Sequence, residues 1–100
     1  MITQSGLERL ARALDDLLPS GTYTVDGAKK PIALRRSIVE GNKVKKHIYL
    51  SDIEGNGRLT RFELLDDEGN VFAFKDDDKQ KTSRKGLLIS FEFTIQEVNS

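Results

Sequence analysis

A mainly β domain, α+β by content, is the fold this sequence predicts: an N-terminal amphipathic helix followed by about six short antiparallel strands forming a sandwich or open barrel. Three observations predict it. Leu7, Leu10, Ala11, Leu14, Leu17 and Leu18 recur at helical spacing. Beyond Gly21 the apolar period falls to two, with turn-forming residues at roughly 8 to 14 residue intervals. Finally, 100 residues that are 37% hydrophobic and 32% charged lie in the range of an ordinary globular protein, enough for one core and too few for two. The expectation is therefore a single domain over residues 1–100, with no internal linker.

The helix is expected over residues 6–18. Ser5 is placed to cap it, Glu8 completes a capping box, and Pro19-Ser20-Gly21 stops it. Glu8, Arg9, Arg12, Asp15 and Asp16 fall on the outer face. The stripe of Leu7, Leu10, Leu14 and Leu17 requires a partner surface, either the chain's own sheet or a neighbouring copy.

The β-rich region runs over residues 22–98. Residues 23–25 form a short strand, and Asp26-Gly27 with Lys29-Lys30-Pro31 a turn or loop. Residues 32–39 alternate with Ile32, Leu34 and Ile38 on one side; Glu40-Gly41-Asn42 then turns into 44–50, where Val44, Ile48 and Leu50 share a face. After a connection over 51–57, strands at 59–65 and 71–75 flank Asp66-Asp67-Glu68-Gly69-Asn70. Residues 76–85 read as a charged loop, because acidic runs are poor strand formers. The last strand, 87–98, sets Leu87, Ile89, Phe91, Phe93 and Ile95 on one face.

Composition excludes several chemistries. There is no cysteine, hence no disulfide framework and no thiolate ligand or nucleophile. His47 is the only histidine, so multi-histidine metal centres and paired-histidine relays are ruled out. No glycine-rich phosphate loop and no G-x-S-x-G elbow occurs. No basic segment followed by an apolar run opens the chain, and no stretch approaches the ~18 apolar residues of a membrane span. Synthesis in the cytoplasm without membrane attachment is expected.

Sixteen basic residues balance sixteen acidic ones. The balance hides an asymmetry: residues 1–50 carry nine basic and five acidic side chains (9 − 5 = +4), residues 51–100 seven and eleven (7 − 11 = −4). That distribution permits head-to-tail association between copies.

Two motifs suggest binding. Asp52-Ile53-Glu54-Gly55-Asn56-Gly57-Arg58-Leu59-Thr60-Arg61-Phe62-Glu63 approximates a calcium loop, with Asp52, Asn56 and Glu63 as hard oxygen ligands and Gly57 at the sharp turn. Glu54 is a misfit at its position. Such a loop needs a helix on each side, whereas an alternating segment precedes it and a turn follows Glu63 almost at once. A surface loop leading into a strand fits better, so no metal or cofactor is expected and the calcium module remains the alternative. The second motif is a basic patch of Arg35, Arg36, Lys43, Lys45 and Lys46, with His47 and Tyr49 beside it, which on a small barrel would suit an oligonucleotide. Zero net charge and few aromatic residues favour a solvated strand face instead.

With the segments placed, the chain resembles a family of bacteriophage and prophage tail proteins, the short N-terminal domains of tail fibres and baseplate-associated proteins. The resemblance lies in the order of its landmarks. Met1-Ile2-Thr3-Gln4-Ser5-Gly6-Leu7 before the helix is similar to the family's opening, and Gly41-Asn42-Lys43-Val44 to its G-N-x-V hairpin. Asn56-Gly57-Arg58-Leu59-Thr60-Arg61-Phe62-Glu63-Leu64-Leu65-Asp66 and Gly69-Asn70-Val71-Phe72-Ala73-Phe74 resemble the strand pair that follows. Lys81-Thr82-Ser83 before Leu87-Leu88-Ile89-Ser90-Phe91-Glu92-Phe93-Thr94-Ile95 is similar to the closing loop and strand. The chain departs from the pattern where the lysine-rich segment 21–31 replaces a glycine-rich A-x-G-T-G, and where Glu63 replaces a common glycine. The resemblance implies a non-enzymatic virion component of the tail that joins a fibre to the baseplate. It further implies other tail and baseplate proteins as partners, and oligomeric assembly.

Overall fold

A computed structural model describes residues 1–34 and 36–98, with the Arg36 side chain left undescribed. One helix, α1 (Gln4–Leu17), precedes seven strands: β1 (Ser20–Val25), β2 (Ala28–Ala33), β3 (Arg36–Glu40), β4 (Lys43–Leu50), β5 (Gly57–Leu65), β6 (Val71–Lys81) and β7 (Leu87–Thr94). They form two antiparallel sheets, β2-β1-β5-β6 and β3-β4-β7, packed face to face. Two sheets meet the expectation of a sandwich or open barrel, with seven strands among the described residues rather than about six.

The core lies between the inner faces. Tyr23, Val25, Leu59, Phe62 and Leu64 from the larger sheet meet Ile48, Leu50, Ile89 and Phe91 from the smaller one, with Leu18 below the helix. Strict alternation places them there: in β4, Val44, Lys46, Ile48 and Leu50 are buried and the intervening residues are not. The inward Leu87, Ile89, Phe91 and Phe93 of β7 follow the expected pattern.

The helix docks in cis, over the β3/β4 half of the smaller sheet. Gln4 lies beside Gly41 and Asp15 beside Lys46. Eleven helical residues at ~1.5 Å and five strand residues at ~3.3 Å both span roughly 16 Å, so helix and strand run side by side in step. Its cap differs from expectation. Thr3, not Ser5, caps the helix, its Oγ1 accepting from Gly6 N at 3.1 Å. Glu97 fixes the earlier start by accepting from Ile2 N at 2.8 Å, a contact between chain ends that local sequence does not reveal. Ala11 and Leu18 are buried and Leu7 and Leu14 half-buried, while Leu10 and Leu17 face outward. Asp15 is turned inward, contrary to its expected outer position.

Several strand boundaries also differ. The last strand, expected over 87–98, ends at Thr94. The lysine-rich segment 28–33 is a strand, β2, and Pro31 is tolerated because β2 is a sheet edge where the missing N–H is not needed. The expected strand 32–39 is two strands in different sheets: Ile32 and Leu34 pack on the core, but Ile38 pairs with Lys45 on the outer face and Val39 takes the inner one. Residues 76–81 continue β6 instead of looping. Arg58 and Arg61 on β5 hold them, Arg61 Nη1 at 3.3 Å from Asp76 Oδ1 and Arg58 Nε at 2.7 Å from Asp78 Oδ1. These charges also discourage edge-to-edge pairing.

Two glycines are required by geometry. Asp26 (φ +49) and Gly27 (φ +82) form the tight β1–β2 turn, and Asp26 Oδ1 accepts from Arg58 N at 2.9 Å. A Cβ on Gly57 (φ +133) would stand 2.3 Å from the other oxygen of that carboxylate. On the neighbouring strand, a Cβ on Gly21 would stand 2.6 Å from the backbone oxygen of Glu63. Among the described residues no helix is long and apolar enough to cross a membrane.

Candidate interaction face

The outer face of the larger sheet carries an unusual group, a carboxylate almost fully shielded from water on the side away from the core. Glu63 is 3% exposed. Register explains its setting: Thr22 stands opposite on β1 and Phe74 opposite on β6, so its neighbours on both sides lie on inner and edge strands of one sheet. Lys29 sits two strands away, roughly 10 Å across the sheet. Its extended stem crosses β1 and brings Nζ to 2.9 Å from Glu63 Oε1. Thr22 Oγ1 donates to the same oxygen at 2.9 Å, and Arg61 Nε donates to Oε2 at 2.9 Å.

Arg61 has two further contacts. Its guanidinium carbon lies 3.9 Å from the centroid of the Phe74 ring, and Nη1 reaches Asp76. Lys29, Arg61, Glu63 and Asp76 sum to zero charge, and Phe74 beside them is half-exposed. Arginine and aromatic side chains held in place by a buried acid are the groups that anchor protein interfaces. Pre-ordering reduces the entropy lost on binding.

The hydrogen bond from Lys29, with those from Thr22 and Arg61, holds the Glu63 carboxyl below the usual carboxylate range, against the opposing effect of burial. A depressed value in the folded state gives stability that is fully present above the unfolded pKa of about 4.3 and is lost as pH falls through the folded value. Glu63→Gln is therefore expected to lower stability at neutral pH by about 1–3 kcal/mol, toward the low end because Lys29 and Arg61 reach water. Its urea midpoint should also fall less than that of the unsubstituted chain on acidification. Parallel midpoints across the acid range would refute the assignment.

The structure does not bring Asp52, Asn56 and Glu63 together around a cation. The 51–56 segment lies between strands β4 and β5, and no helix flanks it. Both Glu63 oxygens are engaged by the chain's own donors. Asn56 Oδ1 accepts from Lys81 Nζ at 2.8 Å, while Asn56 Nδ2 donates to the Asp52 backbone oxygen at 3.1 Å. Glu54 turns inward, accepting from Ser51 N at 3.1 Å; burial, and secondarily the Glu54 charge, pushes the Tyr23 hydroxyl above its ordinary pKa. Among the described residues no group of three or more His, Cys, Asp or Glu is placed to hold a metal.

The basic patch is likewise divided. Lys43 and Lys45 lie on the outer face of the smaller sheet, with Lys45 opposite Glu92. Lys46 points the other way, into the interior, where Nζ donates to Asp15 Oδ1 at 2.7 Å and to Asp15 O at 3.2 Å. Period-two alternation makes this inevitable for adjacent lysines on a strand. Arg35 and the Arg36 side chain lie outside the described residues. The Lys46–Asp15 pair forms the floor of a cleft of about 290 Å³ between the helix end and β3, with Leu18, Pro19, Leu34 and Ser37 as walls.

Glu63 stands in the sequence as the last candidate ligand of the calcium-like loop, and its actual partners are not legible there. Lys29 comes from a segment that reads as a loop, and only the sheet order brings it near. Comparison of the chain with models of known protein families, with curated proteins and with solved structures finds no match.

Proposed function

We propose that the protein is a non-enzymatic structural component of a phage or prophage tail, a fibre or baseplate adaptor that works by docking to other tail proteins. The observation that carries this reading is the pre-ordered outer face of the larger sheet, where Arg61 stacks on half-exposed Phe74 over the buried Glu63. A rigid sandwich displaying one such anchor suits attachment, because a partner can bury the aromatic ring and guanidinium without first ordering them. The order of landmarks shared with tail-fibre N-terminal domains supplies the setting. Leu10 and Leu17, exposed on the outer side of α1, offer a second apolar contact suited to assembly between copies.

Mass spectrometry of purified tail particles tests the reading. The chain is expected at a fixed copy number per tail, and its absence from intact particles would overturn the adaptor role. Phe74→Ala should alter stability by about 1 kcal/mol or less yet reduce incorporation roughly tenfold or more. Unchanged incorporation would move the contact away from this face.

A further inference from the structure

Three charged side chains are buried among the described residues: Lys46, Glu63 and Lys81. Two have ionic partners, Lys46 with Asp15 and Glu63 with Lys29 and Arg61. Lys81 does not. It is 6% exposed, its ammonium donates to the neutral Asn56 Oδ1 at 2.8 Å, and no carboxylate of the described residues lies within ion-pair distance. A buried charge with a single neutral partner is costly, and folded proteins ordinarily neutralise it.

Lys81 lines a cleft of about 150 Å³ where β6 ends, beside Lys79 and Lys85, with the Gln80 amide and Thr82 hydroxyl as further polar groups and Leu87 as an apolar wall. Among the described residues no acidic one lines it, and at its mouth the Asp77 carboxylate lies 3.7 Å from Lys79 Nζ. Segment 79–86 carries four basic residues and no acidic one. A turn in which Lys85 N donates to Thr82 O at 3.5 Å folds the segment back so that Lys85 joins the two lysines of the strand. An ammonium has three donors, and Asn56 takes one.

We propose that this cleft binds one tetrahedral oxyanion of the phosphate class, held chiefly by Lys81 and Lys85 with Lys79 at the mouth. The anion supplies the charge that Lys81 lacks. Lysine suits the task because it acts on phosphate as a point charge and needs no bidentate geometry. The volume admits a single phosphate group, so the ligand is inorganic phosphate or the terminal phosphate of an ester. Asn56 holds the Lys81 ammonium by one hydrogen bond and is a positioning residue.

The test is a titration of the full chain followed by the backbone amide NMR shifts of residues 79–87, with sodium chloride at matched ionic strength as reference. Inorganic phosphate, glycerol phosphate and phosphatidate-containing vesicles are the three probes. Saturable shifts at millimolar inorganic phosphate that chloride does not reproduce are the expected result. Tighter binding of glycerol phosphate would identify an ester as the source, and binding confined to vesicles a lipid headgroup. Lys81→Met, which keeps the packed stem, should weaken binding roughly tenfold or more, the loss of one charge-assisted hydrogen bond. Lys85→Gln sits at an exposed position and provides a variant whose folding is not in question; it should weaken binding as well. Non-saturating shifts with all three probes, equal shifts with chloride, or undiminished affinity in Lys85→Gln would overturn the proposal.

Discussion

Phe62→Ala is expected to remove about 3–5 kcal/mol of stability. Phe62 is the largest fully buried side chain, on an inner strand of the larger sheet and opposite Tyr23. Its removal opens a cavity between two sheets whose positions are fixed by backbone ladders, so collapse recovers little. For a domain of this size, with a total of about 5–15 kcal/mol, that loss leaves a large unfolded fraction at the low end. Phe74→Ala is the matched control. One position of phase separates the two: Phe62 pairs with Lys75 and Glu63 with Phe74, so Phe74 lies on the outer face and its truncation should cost about 1 kcal/mol or less. Urea denaturation of both variants measures the difference. Equal losses would mean that the sheet's faces are assigned the wrong way round.

Where period and apolar content agreed, the strands were legible. In β7 every second residue from Leu87 to Phe93 is apolar and faces the core, and in β4 the same holds for Val44, Ile48 and Leu50. Legibility failed where tertiary pairing supplied what local preference lacked. Asp76-Asp77-Asp78 has low intrinsic strand preference, and it lies in β6 because β5 places arginines within reach. Segment 32–39 failed for another reason. Its alternation continues across the passage from one sheet to the other, so the change of face between Leu34 and Val39 leaves no mark on the pattern.

The site was legible in part. Glu63 was identifiable as an oxygen donor, because the calcium-loop spacing made it a ligand for a cation. The fold gives it a different cation. A Lys29 ammonium and an Arg61 guanidinium occupy the oxygens that calcium would have needed, and Lys81 occupies the oxygen of Asn56. Carboxylate and amide oxygens at metal-loop spacing thus served as acceptors for the chain's own basic groups, which arrive from β2, β5 and β6. Local spacing reveals acceptors; it does not reveal which cation the topology delivers.

The Lys46–Asp15 pair yields the second large effect, and the direction of its asymmetry follows from exposure. The Lys46 side chain is 6% exposed and the Asp15 side chain 21%. Asp15→Ala leaves a buried ammonium at the floor of the cleft with the Asp15 backbone oxygen as its remaining acceptor among the described residues, and should cost about 3–5 kcal/mol. Lys46→Met keeps the packed stem and leaves a carboxylate that reaches water by a small rotation, so its cost should be about 1–2 kcal/mol. The double variant should resemble Lys46→Met alone, because once the ammonium is gone the absence of Asp15 leaves no buried charge behind. Urea midpoints of the three variants test this: if the double costs no more than Lys46→Met alone, the coupling equals the Asp15→Ala cost, about 3–5 kcal/mol. Equal costs in the two single variants, or simple addition in the double, would show that the pair is solvated and does not hold the helix to the sheet. If the asymmetry is found, the pair acts as a latch: among the described residues α1 packs chiefly on β3 and β4, and this buried pair joins its last turn to β4.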